Sequence, residues 1–98
     1  MFVMELEYTA PIEAVDAVLE AHRAWLDEHY EKGIFLASGR KNPRDGGVIL
    51  AVAPDRARIE ELAATDPFVG AGVCVYRITE FVATKTAPAL EQYRETLD

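Results

Sequence analysis

The chain has 98 residues, half of them hydrophobic, which limits it to one domain, 1–98, and sets it apart from the weakly hydrophobic, highly charged compositions that stay unfolded. Seventeen acidic against ten basic residues give a net charge of −7, so repulsion disfavours nucleic-acid backbones and anionic membrane surfaces as partners. The single cysteine, Cys74, excludes an internal disulfide and a multi-cysteine zinc site, and Met1–Glu5 has neither the basic nor the long apolar character of a leader, so the chain reads as cytoplasmic.

From Phe2 to Tyr8 the residues alternate, with Phe2, Met4, Leu6 and Tyr8 on one side and Val3, Glu5 and Glu7 on the other, which predicts a first strand. Pro11 suits a first helical turn, and Glu13 and Asp16 put negative charge near the positive end of the helix. One long helix is expected to follow. Its buried stripe runs through Ile12, Val15, Val18, Leu19, Trp25 and Leu26, and Gly33 supplies a left-handed stop.

Ile34–Ala37 and Val48–Val52 are short apolar runs without polar alternation, the pattern of strands covered on both faces. Between them, Ser38–Gly47 is dense in turn formers and carries Arg40, Lys41 and Arg44, so the two strands should form an antiparallel hairpin whose basic loop favours a small anion or is simply solvated. Asp55 is a good cap for a second helix with a stripe of Ile59, Leu62 and Ala63, ending near Thr65. A turn over Asp66–Gly72 precedes a last strand, Val73–Phe81, with apolar residues on both faces. After a core of 1–84, Leu90, Tyr93 and Leu97 share a face, which predicts a short amphipathic helix over 87–97.

Strand, helix, strand, strand, helix, strand is the split βαβ order, so the fold class is α+β, ferredoxin-like βαββαβ, with a four-stranded antiparallel sheet and both helices on one face. With strands apolar on both sides, the second face would expose more apolar surface than soluble monomers usually tolerate, and a homodimer through that open face is the expected solution.

His22 lies within the apolar stripe of the long helix. It is either a core histidine with satisfied ring nitrogens or a general base working near neutral pH. Asp66, before Pro67 and Phe68, is an ideal helix cap; it is alternatively a carboxylate that accepts a ring N–H from His22 and raises its basicity. Ser38, at the root of the basic loop, is the better ligand contact there. Cys74 reads as a small buried hydrophobe, Trp25 and Tyr76 as core or cleft walls, and His22 with His29, seven apart and lacking further ligands, as a weak metal signal. No metal site, cofactor or nucleotide fingerprint is therefore expected.

His22-Arg23-Ala24-Trp25-Leu26, Gly33 to Ser38-Gly39, Gly46-Gly47-Val48-Ile49 and Asp66-Pro67-Phe68 together resemble the YciI-like, or YCII-related, family, the similarity running from Met1 to about Thr84. The resemblance implies a dimeric α+β barrel with a cleft between helices and sheet, in which a histidine and an aspartate are proposed as the catalytic site. His22 and Asp66 match that pair, and Ser38 with Gly39 matches the motif at the end of the second strand. Arg40 departs from the pattern, where proline often follows the Ser-Gly. The few activities assigned in the family are eliminations on small oxygenated ring compounds.

The expectation is thus a lyase or isomerase acting on a small oxygenated ring or carbonyl compound, with His22 and Asp66 as a proton-transfer pair and Ser38, Gly39 and Arg40 binding the substrate. The alternatives are a non-catalytic dimer that binds a small metabolite or serves as an accessory module, and, if side chains fill the cleft, an interaction domain.

Overall fold

A computed structural model describes residues 1–97. The alternation in the first strand is realised as β1 (Phe2–Tyr8), with Phe2, Met4 and Leu6 buried and Glu7 exposed. The expected long helix is instead two pieces, α1 (Ile12–Asp16) and α2 (Leu19–Glu31). Val18, at φ −112° and ψ 1°, leaves helical geometry, and its N–H turns back to the Val15 carbonyl at 3.0 Å before the ladder restarts from His22 to Val18. Ile12, read as part of the buried stripe, is exposed, and Val15 alone of α1 is buried. Gly33 ends the helical segment at φ +75°, a conformation that side chains with a Cβ resist.

β2 (Phe35–Arg40) and β3 (Gly46–Ala51) both reach further into the hairpin than their apolar runs suggested, so Ser38, Gly39 and Arg40 lie on a strand and the connecting loop shrinks to 41–45. Gly46 makes this possible. A Cβ there would run into the Leu6 carbonyl oxygen of the neighbouring strand, so only glycine allows β3 to pair with β1 at this point. Asp55 caps α3 (Arg56–Ala64) by accepting the Arg58 N–H at 2.9 Å. Asp66 caps the single turn of α4 (Pro67–Gly70), and β4 (Cys74–Glu80) completes the sheet. The terminal segment winds as a 3-10 helix over Pro88–Tyr93, shorter than the amphipathic helix expected over 87–97; Leu90 and Tyr93 of the expected face are half-buried and Leu97 lies exposed beyond it.

The strands are antiparallel in the order β2-β3-β1-β4, with β1 between its two sequence-distant partners. Val15, Trp25, Ile59, Ala63 and Phe68 from the helices meet Phe2, Met4, Leu6, Phe35, Ile49 and Ala51 from one face of the sheet in a single core. Each large side chain buried there contributes about 1.5–3 kcal/mol relative to exposure. The other face is mixed rather than wholly apolar. The register aligns Val3 with Leu50 and Thr79, Glu5 with Val48 and Arg77, and Glu7 with Gly46 and Val75, so charged residues alternate with valines that are 39% (Val48) and 51% (Val75) exposed. Among the described residues no helix is long and apolar enough to cross a membrane.

Candidate functional site

The first turn of α2, the turn into α4 and Tyr76 of β4 converge under the helical layer. His22 is carried inward on the same stripe as Trp25 and His29, all three buried. Its Nδ1 lies 2.8 Å from Asp66 Oδ1. Asp66 is only 1% exposed, yet its carboxylate is fully engaged: Oδ1 also accepts the Phe68 N–H at 2.9 Å, and Oδ2 accepts the Tyr76 hydroxyl at 2.6 Å. Capping α4 and holding His22, posed by the sequence as alternatives, are thus done by one oxygen. A carboxylate that accepts two other hydrogen bonds is placed to accept a third, so the neutral form of the ring carries its proton on His22 Nδ1 and its lone pair on Nε2. Among the described residues Nε2 has no protein partner.

Aromatic rings fix the imidazole plane. Phe68 stacks on it with centroids 3.9 Å apart and planes 6° from parallel, and Trp25 lies 5.7 Å away on the same helix. Trp25 is in turn pinned by donating its indole N–H to Thr65 Oγ1 at 2.9 Å, one residue before Asp66. The ring is therefore held from its face by packing and from its edge by the carboxylate, an arrangement that restricts it to one orientation.

Tyr76 escaped the sequence reading as anything but a wall. Its place at an even position of β4, alongside Cys74 and Ile78, turns it to the helical face, where burial and then the adjacent Asp66 charge push its phenol far above the ordinary range, so it acts as a neutral donor. Cys74 is buried, and the same two causes push its thiol from the ordinary 9.0 to about 12, as expected of an inert small hydrophobe.

His22 opens onto a cleft of about 270 Å³ between α2 and the β2–β3 hairpin, lined among others by Leu6, Leu19, Leu26, Ile49 and Phe68. Ser38, Gly39 and Arg40 lie along its sheet side, and Arg23 on its helix side. Ser38 Oγ accepts a hydrogen bond from the Tyr30 hydroxyl at 2.6 Å, a contact between α2 and β2 that the sequence did not signal. The basic hairpin divides in two. Lys41 pairs with Glu5 at 2.7 Å and Arg44 with Asp16 at 2.6 Å, while Arg40 stays at the cleft.

His29 is not brought to the cleft. It packs against Trp25 and Phe35, with ring centroids 5.2 and 5.4 Å away, and its buried Nδ1 has no hydrogen-bond partner. Desolvation is the main cause that holds its pKa below the ordinary 6.5. Among the described residues no three His, Cys, Asp or Glu side chains gather as metal ligands would.

Comparison with known proteins adds two findings. The sequence pattern of the YCII-related domain matches residues 1–82. Among solved structures, 5-chloro-2-hydroxyhydroquinone dehydrochlorinase (TftG) from Burkholderia phenoliruptrix AC1100, in complex with 2,5-dihydroxybenzoquinone, superposes with a TM-score of 0.69 over 83% of this chain and 93% of that chain, at 16% identity, a likeness of fold. No curated protein sequence matches the chain.

Proposed function

The chain belongs to the YCII-related family, and on that footing we propose that it is a lyase or isomerase for a small oxygenated ring or carbonyl compound, with His22 as the base. The observation that carries this reading is the pairing of His22 Nδ1 with the buried Asp66, 2.8 Å away, beside a cleft that Nε2 is free to serve. The fold neighbour from Burkholderia is named for removal of hydrogen chloride from a chlorinated hydroxyhydroquinone, a reaction of the same class.

In this mechanism His22 Nε2 takes a proton from the carbon next to a carbonyl, the C–H electron pair becomes a carbon–carbon double bond, and the carbonyl π pair moves onto oxygen to give an enolate. Collapse of the enolate either expels a leaving group with the pair, as a lyase does, or takes the proton back at another carbon, as an isomerase does. Neither course needs an oxidant or reductant. Asp66 is the positioning residue, because it fixes the tautomer and stabilises the imidazolium that forms. Tyr30 donates to Ser38, which leaves the Ser38 hydroxyl proton for the developing oxyanion, a contact that can be worth about 3 kcal/mol when well placed. Gly39 and Arg40 complete the substrate-contacting edge.

The test is a screen of halogenated and hydroxylated single-ring compounds, beginning with 5-chloro-2-hydroxyhydroquinone, for proton and halide release. Turnover that disappears in a folded His22→Ala protein is the expected result, and turnover unchanged by that substitution overturns the role. Ring compounds that bind in the cleft and are never turned over point to the non-catalytic module.

We also infer that two copies associate through the open sheet face. Val48 and Val75 stand exposed there beside Val3 and Leu50, and the Glu5–Arg77 cross-strand pair gives a two-fold partner complementary charges to meet. Light scattering at micromolar concentration should give twice the chain mass, reduced by Val75→Lys; a monomeric mass refutes the dimer.

A further inference from the structure

The cleft carries positive charge that proton transfer does not require. In a chain of net charge −7, Arg23 from α2 and Arg40 from the end of β2 both line it, and no residue lining it is acidic. Arg44, nearby in the hairpin loop, is already engaged: it donates to Asp16 Oδ1 at 2.6 Å and lies 5.8 Å from the Tyr8 ring centroid. Among the described residues the guanidinium groups of Arg23 and Arg40 have neither an ion-pair nor a hydrogen-bond partner. Glu20 and Asp27 sit three before and four after Arg23 on the same helix, the spacing of an ion pair, and neither forms one.

The cleft lining places both free guanidiniums around one cavity. The Asp16 carboxyl, held below the ordinary 3.8 chiefly by the hydrogen bond from Arg44, is lowered further by the charges of Arg40 and Arg23. Within the lining of this largely apolar-walled cavity the two guanidiniums of Arg23 and Arg40 face no acidic residue. Nothing in a neutral quinone or phenol would use them. A carboxylate would, because guanidinium forks match its two oxygens and a largely apolar wall weakens the competition from water.

We propose that Arg23 and Arg40 form an anion-binding subsite and that the natural ligand of this cleft is a small ring or enolisable compound bearing a carboxylate. The inference deepens the reading of the cleft as a ligand site and does not depend on His22 acting as a base. Size agrees with it. A volume of about 270 Å³ falls just below the ~300–1,000 Å³ usual for drug-sized ligands, which suits a single ring with one appended anion. Arg23 directly follows His22 on α2, so an anion held at the rim keeps the attached ring beside the imidazole. Against the overall negative charge, the two arginines also supply the local field that draws an anion in.

The experiment is a calorimetric titration of the full chain with 2-hydroxybenzoate and with phenol, which share a ring and differ by the carboxylate. The carboxylate should improve binding by about tenfold or more, and added potassium chloride should erode that advantage. In the double variant R23Q/R40Q, whose replaced side chains are both exposed, the advantage should vanish while the melting temperature holds. Equal binding of the two compounds, no binding of 2-hydroxybenzoate at millimolar concentration, or a preference that survives in R23Q/R40Q overturns the subsite. His22→Ala separates the two readings. A carboxylate preference retained there, with wild-type protein inert across the ring-compound screen, removes the catalytic reading and leaves the subsite standing; His22-dependent turnover with equal binding of phenol removes only the subsite.

Discussion

The two ends of α2 each bury a histidine on one helical stripe, seven residues apart, among aromatic rings, and only one of them has a carboxylate partner and a cleft beside it. His22, 8% exposed, has a carboxylate at 2.8 Å and a cleft beside it. His29, 4% exposed, has Trp25 and Phe35 in T-shaped contact with its ring, an orphaned Nδ1, and a contact at 3.6 Å to Glu28, which is too long to be a hydrogen bond. Burial and aromatic surroundings are common to both. What distinguishes a working imidazole is a fixed acceptor for one nitrogen and an accessible path to the other.

The largest effect should come from removing His22. His22→Ala should lower turnover of any substrate found in the ring-compound screen by about 10²- to 10⁴-fold, the usual contribution of a positioned base, with circular dichroism unchanged. His29→Leu should leave turnover within about twofold, because an imidazole without an acceptor or a path to substrate contributes nothing to a proton-transfer step. Comparable losses from both substitutions would erase the contrast between the two ends of the helix.

Next in size is the carboxylate that makes the difference. Asp66→Ala strands three donors at once, the His22 ring N–H, the Phe68 amide and the Tyr76 hydroxyl, and should cost about 3 kcal/mol in urea denaturation. No counterpart at His29 exists to lose. Tyr76→Phe removes one of the three bonds to the same carboxylate and should cost about 1.5 kcal/mol, with a smaller fall in turnover as Asp66 loses an anchor. A Tyr76→Phe protein as stable as wild type would show that Asp66 is held well enough by its other two contacts.

How much of this was legible in the sequence follows the strength of each local signal. β1 could be read from its alternation, and the second helix from its Asp55 cap, because both patterns are set by the residues themselves. The break at Val18 could not, since Ala17 and Val18 are neither glycine nor proline and only packing decides where the helix turns. The hairpin ends were misjudged because Ser38-Gly39-Arg40 and Gly46-Gly47 are turn formers that cross-strand pairing draws into the sheet. At the site, His22 and Asp66 stood out as polar residues in apolar or capping contexts. Arg23 did not, although it lies four after Leu19 and three before Leu26, both cleft residues, and helical spacing alone would have put it on their edge. Tyr30 and Tyr76 find partners 8 and 10 residues away, contacts that no periodicity encodes.

The smallest effect belongs to His29 and shows in the pH dependence of stability. His29 has its pKa below 6.5 in the folded protein, because burial penalises the charged ring more than Glu28 favours it. Below 6.5 the unfolded chain therefore binds a proton that the folded chain refuses, so stability is fully present above 6.5 and falls as pH drops from 6.5 toward the depressed folded value. One proton limits the slope to about 1.4 kcal/mol per pH unit. The carboxylate of Glu28 titrates below its ordinary 4.5, so the interval from 6.5 down to 5 is free of it. Taking the difference between wild type and His29→Leu cancels every group the two proteins share. Urea midpoints across that interval should fall for wild type more steeply than for His29→Leu, whose stability at pH 7 should match or exceed wild type, since the replacement removes an unsatisfied buried nitrogen. Parallel pH profiles would mean that the orphaned nitrogen is solvated after all, and the two ends of α2 would then differ only in the carboxylate and the cleft beside His22.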